Sequence, residues 1–488
     1  MKVKDILINR KDYEKVAVIY KGLQYSYRNI YENVIDHEKR ISDLKCNNIG
    51  VFIENSIEYV IGYFLIAFLD KIIVPIEATA KENHILSTII YCELNLIITN
   101  DNNFTYLCEV LEKAEYKVTI FNVSTGKSVV CSEGKKEIEI SEDEGDNLDV
   151  AILLHTSGTT SDPKKVMLTH DNLLSNVDSN IRSLNLNKDD RCLIVLPMCF
   201  GYCNTSQFLT HLYLGASIVI MDGIFIAQRF FHYLKTYKCT NSTCVPSMLH
   251  LMVKSKKVNF DLPDFRYLCF GGGTIGIDVL RKITHMLPTV GIVQTYGQTE
   301  ASPRVTCLLP KDSIRKLGSV GKALPGVEVR IFDDDCNEVL PNVKGEIVVK
   351  GKNVMRGYYK KPDETKKVLK DGWLHTGDIG MFDDEGFLYV VGRIKNIIIS
   401  GGLNIYPEEI EELLRSIPAV QEAVVLPKFH ELLAEVPVAK VVLRKGSKIT
   451  ERDLLKYCRE KLEIHKVPSE VSIVSNIEKT YNGKIRRL

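Results

Sequence analysis

The sequence lacks several features that would each assign the chain to a class of protein. Its 13 cysteines include no C-x-x-C pair, and an odd number cannot all pair within one chain, so we expect reduced thiols in a cytoplasmic protein. The 63 lysines and arginines barely exceed the 62 aspartates and glutamates, which argues against nucleic acid as the main partner. No apolar run approaches the roughly 20 residues that span a bilayer, and the N-terminus has no apolar signal-peptide segment.

Length and hydrophobic patterning predict the fold class. A chain of 488 residues is too long for one compact core, so at least two domains are expected. Short apolar runs at residues 49–53, 72–76 and 94–99 indicate buried strands, and the apolar run at residues 59–69 indicates a buried helix. This alternation predicts an α/β fold in which a parallel sheet is covered by helices.

The stretch LLHTSGTTSDPKKVMLT, residues 153–169, is the first candidate for a functional site. An apolar strand at residues 150–154 runs into five small residues, and Lys164 follows them. Small residues let backbone N–H groups and hydroxyls close on phosphate oxygens, and a lysine adds a positive charge. The P-loop of nucleoside triphosphatases is excluded, because Pro163 and Lys165 stand where that motif has Gly and Ser or Thr. Taken alone, a Ser/Thr-rich surface turn explains the stretch equally well.

Two later strands are followed by residues that suit a nucleotide. The predicted strand at residues 268–270 ends in three glycines, 271–273, where a backbone can approach a flat ligand closely. The predicted strand at residues 292–295 is followed by YGQTE, residues 296–300. The aromatic ring, glycine and carboxylate of this motif can serve base packing, close approach and a metal ion.

Five motifs in one order carry a family resemblance. They are TSGTT with the following Pro163-Lys164, YGQTE, Thr376-Gly377-Asp378, Gly392-Arg393 and Gly483-Lys484. With these motifs the chain resembles the adenylate-forming (ANL) superfamily, which comprises acyl- and aryl-CoA synthetases, adenylation domains of nonribosomal peptide synthetases and firefly luciferase. The resemblance covers nearly the whole chain, and five motifs in register make chance a negligible explanation.

The resemblance implies two domains of unequal size. A large N-terminal AMP-binding domain of mixed and parallel sheets layered with helices would cover residues 1–394, and a small mobile α+β domain would cover residues 395–488. The hinge between them would lie at Lys395. Glycines at residues 401–402 supply pliable backbone close to that point, which agrees with a moving domain.

The resemblance also implies a role for each motif residue. The residues expected to bind ATP are Thr156, Ser157, Gly158, Thr159, Thr160, Lys164, Gly271, Gly272, Gly273, Thr295, Tyr296, Gly297, Gln298, Thr299, Asp378, Arg393 and Lys484. Those expected to act in catalysis are Lys484, Glu300 and Thr160, and those expected to hold Mg²⁺ are Glu300 and Thr159. Asp378 would accept hydrogen bonds from the ribose hydroxyls, and Lys484 would bridge the substrate carboxylate and the α-phosphate.

Three of these residues have plainer explanations when each is taken alone. Asp378 after a glycine is typical of a turn, Glu300 of a helix start, and Lys484 of a solvated basic terminus. The order of the motifs favours the functional interpretation. The sequence departs from the usual family residues at Ser161, Lys165, Glu478 and Asn482. We expect the first two departures to weaken nucleotide binding at most, and the last two leave Lys484 itself in place.

The acid substrate is predicted from the residues that follow a central strand. The implied pocket comprises Phe200, Gly201, Tyr202, Val245, Gly272 and Gly273. Family members that activate amino acids carry an aspartate at the position of Gly201, where it pairs with the substrate ammonium. Without that counter-charge a buried ammonium costs several kcal/mol, so a fatty or aromatic acid is expected rather than an α-amino acid.

Two thiol acceptors stay open at this point. Residues 398–405 resemble the thioester-forming segment of CoA ligases, which favours coenzyme A, but a carrier protein presents the same phosphopantetheine arm. A luciferase-like oxygenase lacks any supporting feature, and a silent nucleotide-binding homologue is disfavoured because the motif residues are present. The predicted reaction is ATP-dependent adenylation of a carboxylic acid with pyrophosphate release, followed by thioester formation.

Overall fold

Four β-sheets organise the described part of the chain. The computed structural model describes residues 1–42, 46–131, 136, 138, 149–155, 164–255, 261–273, 275–401, 403–479 and 487. Three sheets lie between residues 16 and 393, and the fourth lies between residues 398 and 473. The predicted fold class, α/β with a smaller α+β part at the C-terminal end, is confirmed.

The first sheet has nine described strands and a parallel centre. In spatial order they are Lys322–Ala323, Arg304–Leu308, Gly291–Gly297, Tyr267–Phe270, Asn241–Cys244, Arg191–Ile194, Ser217–Ile220, Val16–Tyr20 and Leu23–Ser26. The five neighbouring pairs from the third strand of this order to the eighth are parallel, and the outer pairs are antiparallel. Inner strands such as Ser217–Ile220 are buried along their whole length, as expected where helices cover both faces.

The second sheet has eight described strands and contains the strands that the apolar runs predict. In spatial order they are Gly357–Tyr358, Lys165–Thr169, Val150–His155, Ile72–Ile76, Asn48–Phe52, Leu96–Thr99, Val118–Asn122 and Lys127–Cys131. The four central pairs are parallel. The strand Val150–His155, which directly precedes the phosphate-loop residues in the sequence, therefore lies inside a largely buried sheet.

Two smaller sheets complete the described architecture. The third consists of Val327–Phe332, Gly345–Gly351, Trp373–Phe382, Leu369–Lys370 and Leu388–Arg393, all paired antiparallel. The fourth consists of Leu403–Ile405, Ile398–Ser400, Ala434–Leu443, Val420–His430 and Glu470–Ile473. Its core is a separate apolar cluster that includes Ile410, Leu414 and Val441. The C-terminal part thus has its own sheet and its own core.

Helices begin where the sequence provides caps. The described α-helices are Asp5–Ile8, Tyr27–Ile41, Ile57–Phe68, Glu82–Tyr91, Asp101–Glu112, His170–Leu184, Gly201–Cys203, Thr210–Leu214, Ala227–Thr236, Pro246–Lys254, Ile277–Met286, Pro310–Ser313, Pro362–Val368, Pro407–Arg415 and Glu451–Lys461. Short 3-10 helices cover Thr299–Ala301, Ile394–Asn396 and Ile464–Lys466, and a π-helix covers Asn204–Leu209. Ser26, Thr169 and Thr450 each form a capping box that satisfies the first free N–H groups of a helix.

The helix Ile57–Phe68 explains the most hydrophobic run of the sequence. All but one of its twelve residues are buried, so it lies inside the large part of the molecule with apolar neighbours on every side. Among the described residues, no helix is both long and apolar enough to cross a membrane.

Candidate active site

The predicted pocket and nucleotide residues follow the carboxyl ends of four neighbouring parallel strands. These strands are Arg191–Ile194, Asn241–Cys244, Tyr267–Phe270 and Gly291–Gly297. The segments that follow them are residues 195–202, Val245, residues 271–273 and residues 298–300. Segments far apart in sequence therefore meet at the edge of the sheet where open α/β folds bind ligands.

Asp378 is held by side chains from two other strands. The Tyr296 hydroxyl donates to Asp378 Oδ2 at 2.8 Å, and Arg393 Nε lies 2.7 Å from Asp378 Oδ1. The Asp378 carboxylate is 5% exposed, whereas the Arg393 side chain is 44% exposed and can still reach a ligand. Burial and the neighbouring Asp378 raise the pKa of Tyr296, so its hydroxyl keeps its proton and remains a donor. Three residues predicted to bind the nucleoside thus form one hydrogen-bonded cluster.

The local backbone explains why Asp378 faces Arg393. The strands that carry them are antiparallel, and the two residues are paired directly across the sheet. Gly377 has a φ of +69°, a conformation that favours glycine, and its N–H donates to Glu346 Oε1 at 2.9 Å. The Asp378 N–H donates to Thr376 Oγ1 at 3.1 Å. The motif is therefore a fixed segment of a strand, and the simpler interpretation of Asp378 as a turn residue is wrong.

Glu300 and Lys164 both contact Tyr358. The Tyr358 hydroxyl donates to Glu300 Oε1 at 2.9 Å, and Lys164 Nζ lies 4.8 Å from the centroid of the Tyr358 ring. Lys164 Nζ also lies 2.6 Å from Glu364 Oε2. Hydrogen bonds from Lys164 and Lys367 lower the pKa of Glu364 to about 2. Without a nucleotide, the lysine predicted to bind phosphate is thus paired with a carboxylate.

Glu300 fits a magnesium ion that arrives with nucleotide phosphates. The described residues contain no group of three His, Cys, Asp or Glu side chains that could hold a metal by themselves. Mg²⁺ usually keeps several waters and is bound by one or two carboxylates together with substrate phosphates. A half-buried glutamate with one oxygen held by a tyrosine matches that pattern.

A close-packed corner surrounds Gly271. A Cβ atom at Gly271 would lie 2.5 Å from Thr295 Oγ1 and 2.9 Å from the Tyr202 hydroxyl, so only glycine fits. The Tyr202 hydroxyl and Thr295 Oγ1 are themselves 2.7 Å apart. A Cβ atom at Gly272, whose φ is +79°, would lie 3.9 Å from Val245. The structure therefore brings Tyr202, Val245 and the glycine segment together, as the predicted acid pocket requires.

Gly201 lies in a space that is narrow, but less narrow than that of Gly271. A Cβ atom at Gly201 would lie 3.2 Å from Leu154 Cδ1 and 3.5 Å from Thr299 Cγ2, which is tighter than ordinary van der Waals contact at the first atom. A side chain at this position would require the end of Leu154, which is buried in the second sheet, to shift by a few tenths of an ångström. The preceding Phe200 forms the N-terminal boundary of the short helix Gly201–Cys203. Crowding at Gly201 agrees with the expectation that no ammonium counter-charge is placed here.

The end of the YGQTE motif forms a tight turn. A Cβ atom at Gly297 would lie 1.8 Å from the carbonyl oxygen of Pro303, so this position requires glycine. Gln298 then precedes the 3-10 helix Thr299–Ala301. The turn directs Glu300 toward Tyr358 instead of continuing the strand.

Two predicted parts lie outside the described residues. They are the phosphate-loop residues Thr156, Ser157, Gly158, Thr159 and Thr160, and the C-terminal Lys484. Arg487, three positions after Lys484, is described, and its Nη1 lies 2.8 Å from Glu411 Oε1 and donates to the carbonyl of Val425 at 2.9 Å. Burial raises the pKa of Glu411, and Arg487 opposes that rise. Arg487 is therefore attached to the first helix and to the sheet of the C-terminal part.

The C-terminal part contacts the third sheet beside the predicted hinge. Lys395 lies exposed in the 3-10 helix Ile394–Asn396. Asn396 Nδ2 donates to Glu408 Oε1 at 2.9 Å, and a Cβ atom at Gly392 would lie 2.6 Å from Glu408 Oε2. These contacts hold the first helix of the C-terminal part against the last strand of the third sheet.

The sequence analysis missed three residues of this region. Tyr358 and Glu364 belong to GYYKKPDET, residues 357–365, where no motif marks them and only the fold brings them to Lys164. Arg304 begins an apolar strand four residues after Glu300, and it is 2% exposed. A single charge at the head of an apolar strand was the available signal, because arginine is rarely buried without a partner.

Comparison with known proteins gives matches over both parts of the chain. Residues 8–359 match the family described as AMP-binding enzyme, and residues 409–484 match the family described as AMP-binding enzyme C-terminal domain. The 2-succinylbenzoate–CoA ligase of Bacillus cytotoxicus is 31% identical over 481 residues, which cover 97% of this chain and 95% of that protein. The indoleacetate–CoA ligase of Aromatoleum aromaticum is 36% identical over 337 residues, which cover 69% of this chain and 66% of that protein.

A solved structure extends the likeness to three dimensions. The o-succinylbenzoate CoA synthetase of Bacillus subtilis, in complex with its acyl-adenylate intermediate, is similar with a TM-score of 0.84 at 27% identity. The match covers 99% of this chain and 96% of that chain. The similarity therefore includes the large part with its three sheets and the small C-terminal part.

Proposed function

Because this chain belongs to the family of AMP-binding enzymes, we propose that it uses ATP to join a carboxylic acid to coenzyme A through an acyl-adenylate. The relatives are named as CoA ligases, which confirms the reaction class predicted from the sequence, an AMP-forming acid–thiol ligase. The observation that carries the proposal for this chain is the cluster of Tyr296, Asp378 and Arg393 beside the predicted acid pocket.

The reaction has two steps that exchange leaving groups. A carboxylate oxygen of the acid attacks the α-phosphorus of ATP, the bond from that phosphorus to the bridging oxygen breaks, and pyrophosphate leaves. The thiolate of coenzyme A then attacks the acyl carbon, and AMP leaves with the former carboxylate oxygen. Both steps bring anions together, so positioned cations and hydrogen-bond donors supply most of the catalysis.

The nucleoside would bind at the Asp378 cluster. The Asp378 carboxylate is already fixed by Arg393 and Tyr296, so it can accept hydrogen bonds from ribose hydroxyls without first being ordered. The exposed part of the Arg393 guanidinium is available to the ribose or the phosphates. The Tyr296 ring and the backbone at residues 271–273 would enclose the adenine, which agrees with the close approach that Gly271 permits.

The phosphates would bind between the loop at residues 156–160 and Lys164. Lys164 is now paired with Glu364, so an incoming phosphate would have to replace that carboxylate as its partner. Glu300, with Thr159, would hold Mg²⁺, whose contribution is to neutralise charge on the phosphate oxygens. Glu300 keeps its orientation through the Tyr358 hydroxyl.

The C-terminal domain would supply the remaining cation. We place the domain boundary at Lys395, with residues 1–394 in one domain and residues 395–488 in the other. The resemblance assigns Lys484 to the contact between the substrate carboxylate and the α-phosphate. The pairing of Arg487 with Glu411 supports this role, because it holds a residue three positions after Lys484 on a folded domain that could turn as a unit.

The substrate would be an aromatic or fatty acid without an α-ammonium group. Gly201 provides no carboxylate to pair with such a group, and Phe200, Tyr202 and Val245 offer aromatic and apolar surface. The aromatic acids in the names of the relatives support the same choice. A reducing compartment such as the cytoplasm would suit the chain, because all thirteen of its cysteines are free.

A panel of carboxylic acids tests the proposal. Purified protein is incubated with ATP, Mg²⁺ and each acid, and AMP, ADP and pyrophosphate are quantified without an acceptor, with coenzyme A, and with a phosphopantetheinylated carrier protein. We expect acid-dependent AMP and pyrophosphate, together with an acyl-CoA thioester when coenzyme A is present. A thioester formed only with the carrier protein would contradict the acceptor, and activation of amino acids alone would contradict the Gly201 argument. No AMP with any acid would indicate a silent homologue.

A further inference from the structure

Arg304 is a buried cation without a counter-charge among the described residues. Its side chain is 2% exposed at the start of the strand Arg304–Leu308, and its Nε and Nη1 atoms have no hydrogen-bond partner. No carboxylate among the described residues lies within ion-pair distance of it, in contrast to Arg393 with Asp378 at 2.7 Å and Arg487 with Glu411 at 2.8 Å. Arginine stays protonated in proteins, so Arg304 cannot escape the cost of burial by losing its charge.

The backbone of Arg304 is fixed from the neighbouring helix. Asn176 Nδ2 donates to the Arg304 carbonyl at 2.7 Å, and the Arg304 N–H donates to Asn176 Oδ1 at 3.4 Å. Asn176 is itself fully buried in the helix His170–Leu184. The side-chain amide of Asn176 thus holds the backbone of Arg304 through both its Nδ2 and its Oδ1 atoms.

The neighbours of the guanidinium belong to the wall of the predicted acid pocket. Burial raises the pKa of Tyr202 to about 12, and the adjacent Arg304 acts in the opposite direction. Arg304 also opposes the rise in the pKa of Cys269, which lies one residue before Phe270 on a pocket strand. The other titratable groups near it are Cys307 and His211, and none of these four carries a negative charge at neutral pH.

We propose that Arg304 is the counter-charge for a second carboxylate on the substrate, remote from the carboxyl group that is adenylated, so that the preferred substrates are dicarboxylic acids. This inference rests on the proposed function, because it assumes that the space beside Tyr202 holds the acid. The reacting carboxyl group must face the nucleotide, and Arg304 interacts with Tyr202 and Cys269 of the predicted acid pocket, so the group that it binds would be another part of the acid. A guanidinium forms strong charge-assisted hydrogen bonds with carboxylates, and Arg304 has two donor atoms without a hydrogen-bond partner, Nε and Nη1.

The test compares substrates that differ only in the charge of the remote group. Aromatic diacids and their monoesters, blocked at the remote carboxyl group, are assayed by ATP–pyrophosphate exchange with the unmodified protein, Arg304→Met and Arg304→Lys. We expect the unmodified protein to prefer the diacid by at least about 10-fold in kcat/KM. Arg304→Met should lose about 100-fold with the diacid and change less than about 3-fold with the monoester, and Arg304→Lys should lose less. The KM for ATP should not change.

A matched control separates recognition from folding. Arg266→Met removes another arginine of the same sheet, which pairs with the buried Asp190 at 2.6 Å outside the site. It should lower the melting temperature without altering the ratio of diacid to monoester activity. Equal losses on both substrates in Arg304→Met would overturn the proposal and assign Arg304 to the reacting carboxyl group or to structure. A monoester preference in the unmodified protein would overturn it without any variant.

Failure of the assignment of Arg304 can be distinguished from failure of the proposed function. If monoacids are activated and diacids are not, the ligase activity stands and the assignment of Arg304 fails. If no acid supports exchange, calorimetric titration of the unmodified protein with diacid and monoester in the absence of ATP decides. Binding of the diacid alone, lost in Arg304→Met and weakened less in Arg304→Lys, would support the second-carboxylate site, and equal binding of both compounds or of neither would overturn it.

Discussion

On the side of the candidate site that faces the nucleotide, Asp378 is held by Arg393 and Tyr296, and Lys164 is held by Glu364. On the side that faces the acid, Arg304 has no carboxylate among the described residues. Paired charges can be kept ready without a ligand, since each partner offsets the desolvation of the other. Burial of an unpaired charge lowers the free energy of unfolding, so such a charge is a stronger indication that a ligand completes the site.

The comparison also separates two kinds of unpaired cation. Lys165 is 3% exposed beside Cys92 and Cys199, also without an ion-pair partner in the described chain, and burial lowers its pKa. A lysine can lose its proton and thereby avoid much of the cost of burial, whereas an arginine cannot. Lys165 is therefore weak evidence for an anionic ligand, and Arg304 is strong evidence.

The largest effect is expected at Lys484, which lies outside the described residues. Replacing Lys484 with alanine should lower acid-dependent ATP–pyrophosphate exchange by about 10³-fold, because no other group would neutralise charge at the α-phosphorus. Thioester formation from a supplied acyl-adenylate should stay within about 3-fold of normal, since that step no longer requires adenylation. Both rates are measured with the same enzyme preparation. Equal loss of the two half-reactions would contradict the assignment of Lys484 to adenylation alone.

The side of the site that faces the nucleotide is tested by removing the charge of Asp378. Asp378→Asn should lower kcat/KM for ATP by about 100-fold, because the ribose loses a charged acceptor and Arg393 loses its partner. Asp384→Asn is the control, because Asp384 lies in the exposed turn between the same two strands. Tyr296→Phe should cost only about 5-fold, the value of one hydrogen bond. Similar values for Asp378→Asn and Asp384→Asn would exclude a role for Asp378 in binding the nucleoside.

A smaller effect, a decrease in the KM for ATP, is expected where the ion pair of Lys164 and Glu364 competes with the phosphates of ATP. Glu364→Gln should lower the KM for ATP by about 3-fold at low ionic strength, because Lys164 would no longer have to leave a carboxylate to meet phosphate. Lys367→Gln removes the other lysine bound to Glu364 and should leave the KM unchanged. An increase in KM in Glu364→Gln would mean that the ion pair orients Lys164 for the phosphate instead of competing with it.

The smallest effect concerns the unpaired lysine. Lys165→Met replaces a buried amine with an apolar side chain of similar length, and the melting temperature should rise by about 2 °C. The pKa of His155, which burial and the neighbouring Lys165 lower to about 4, should move toward its usual value of 6.5. The two changes are measured by calorimetry and by NMR titration. A lower melting temperature would show that Lys165 stabilises the fold and is not comparable with an uncompensated charge.

Local patterns were sufficient to predict the inner strands and the first residues of several helices. The runs at residues 49–53 and 72–76 are buried strands because uninterrupted apolar sequence fits a sheet covered on both faces. Thr169 caps a helix because its hydroxyl accepts a hydrogen bond from the Asn172 N–H, and the Asn172 side chain accepts one from the Thr169 N–H. The third sheet was not predicted, because the alternation of buried and exposed residues along strands such as Val327–Phe332 is irregular.

The site could be predicted only where a motif marks the residue. Asp378 and Tyr296 were identified through the order of the motifs, but their hydrogen bond joins residues 82 positions apart and no local pattern indicates it. The partner of Lys164 lies 200 positions further along the chain. Arg304 was missed because the one sequence signal, a single charge at the head of an apolar strand, does not show that the side chain is buried.

The fate of the carboxylate oxygen tests the central claim most directly. An acid labelled with oxygen-18 in its carboxyl group is converted to its thioester by the purified enzyme, and the AMP and pyrophosphate are analysed by mass spectrometry. Attack of the carboxylate on the α-phosphorus predicts one labelled oxygen in each AMP and none in pyrophosphate. Label in pyrophosphate or phosphate, or formation of ADP in place of AMP, would contradict the proposed acyl-adenylate.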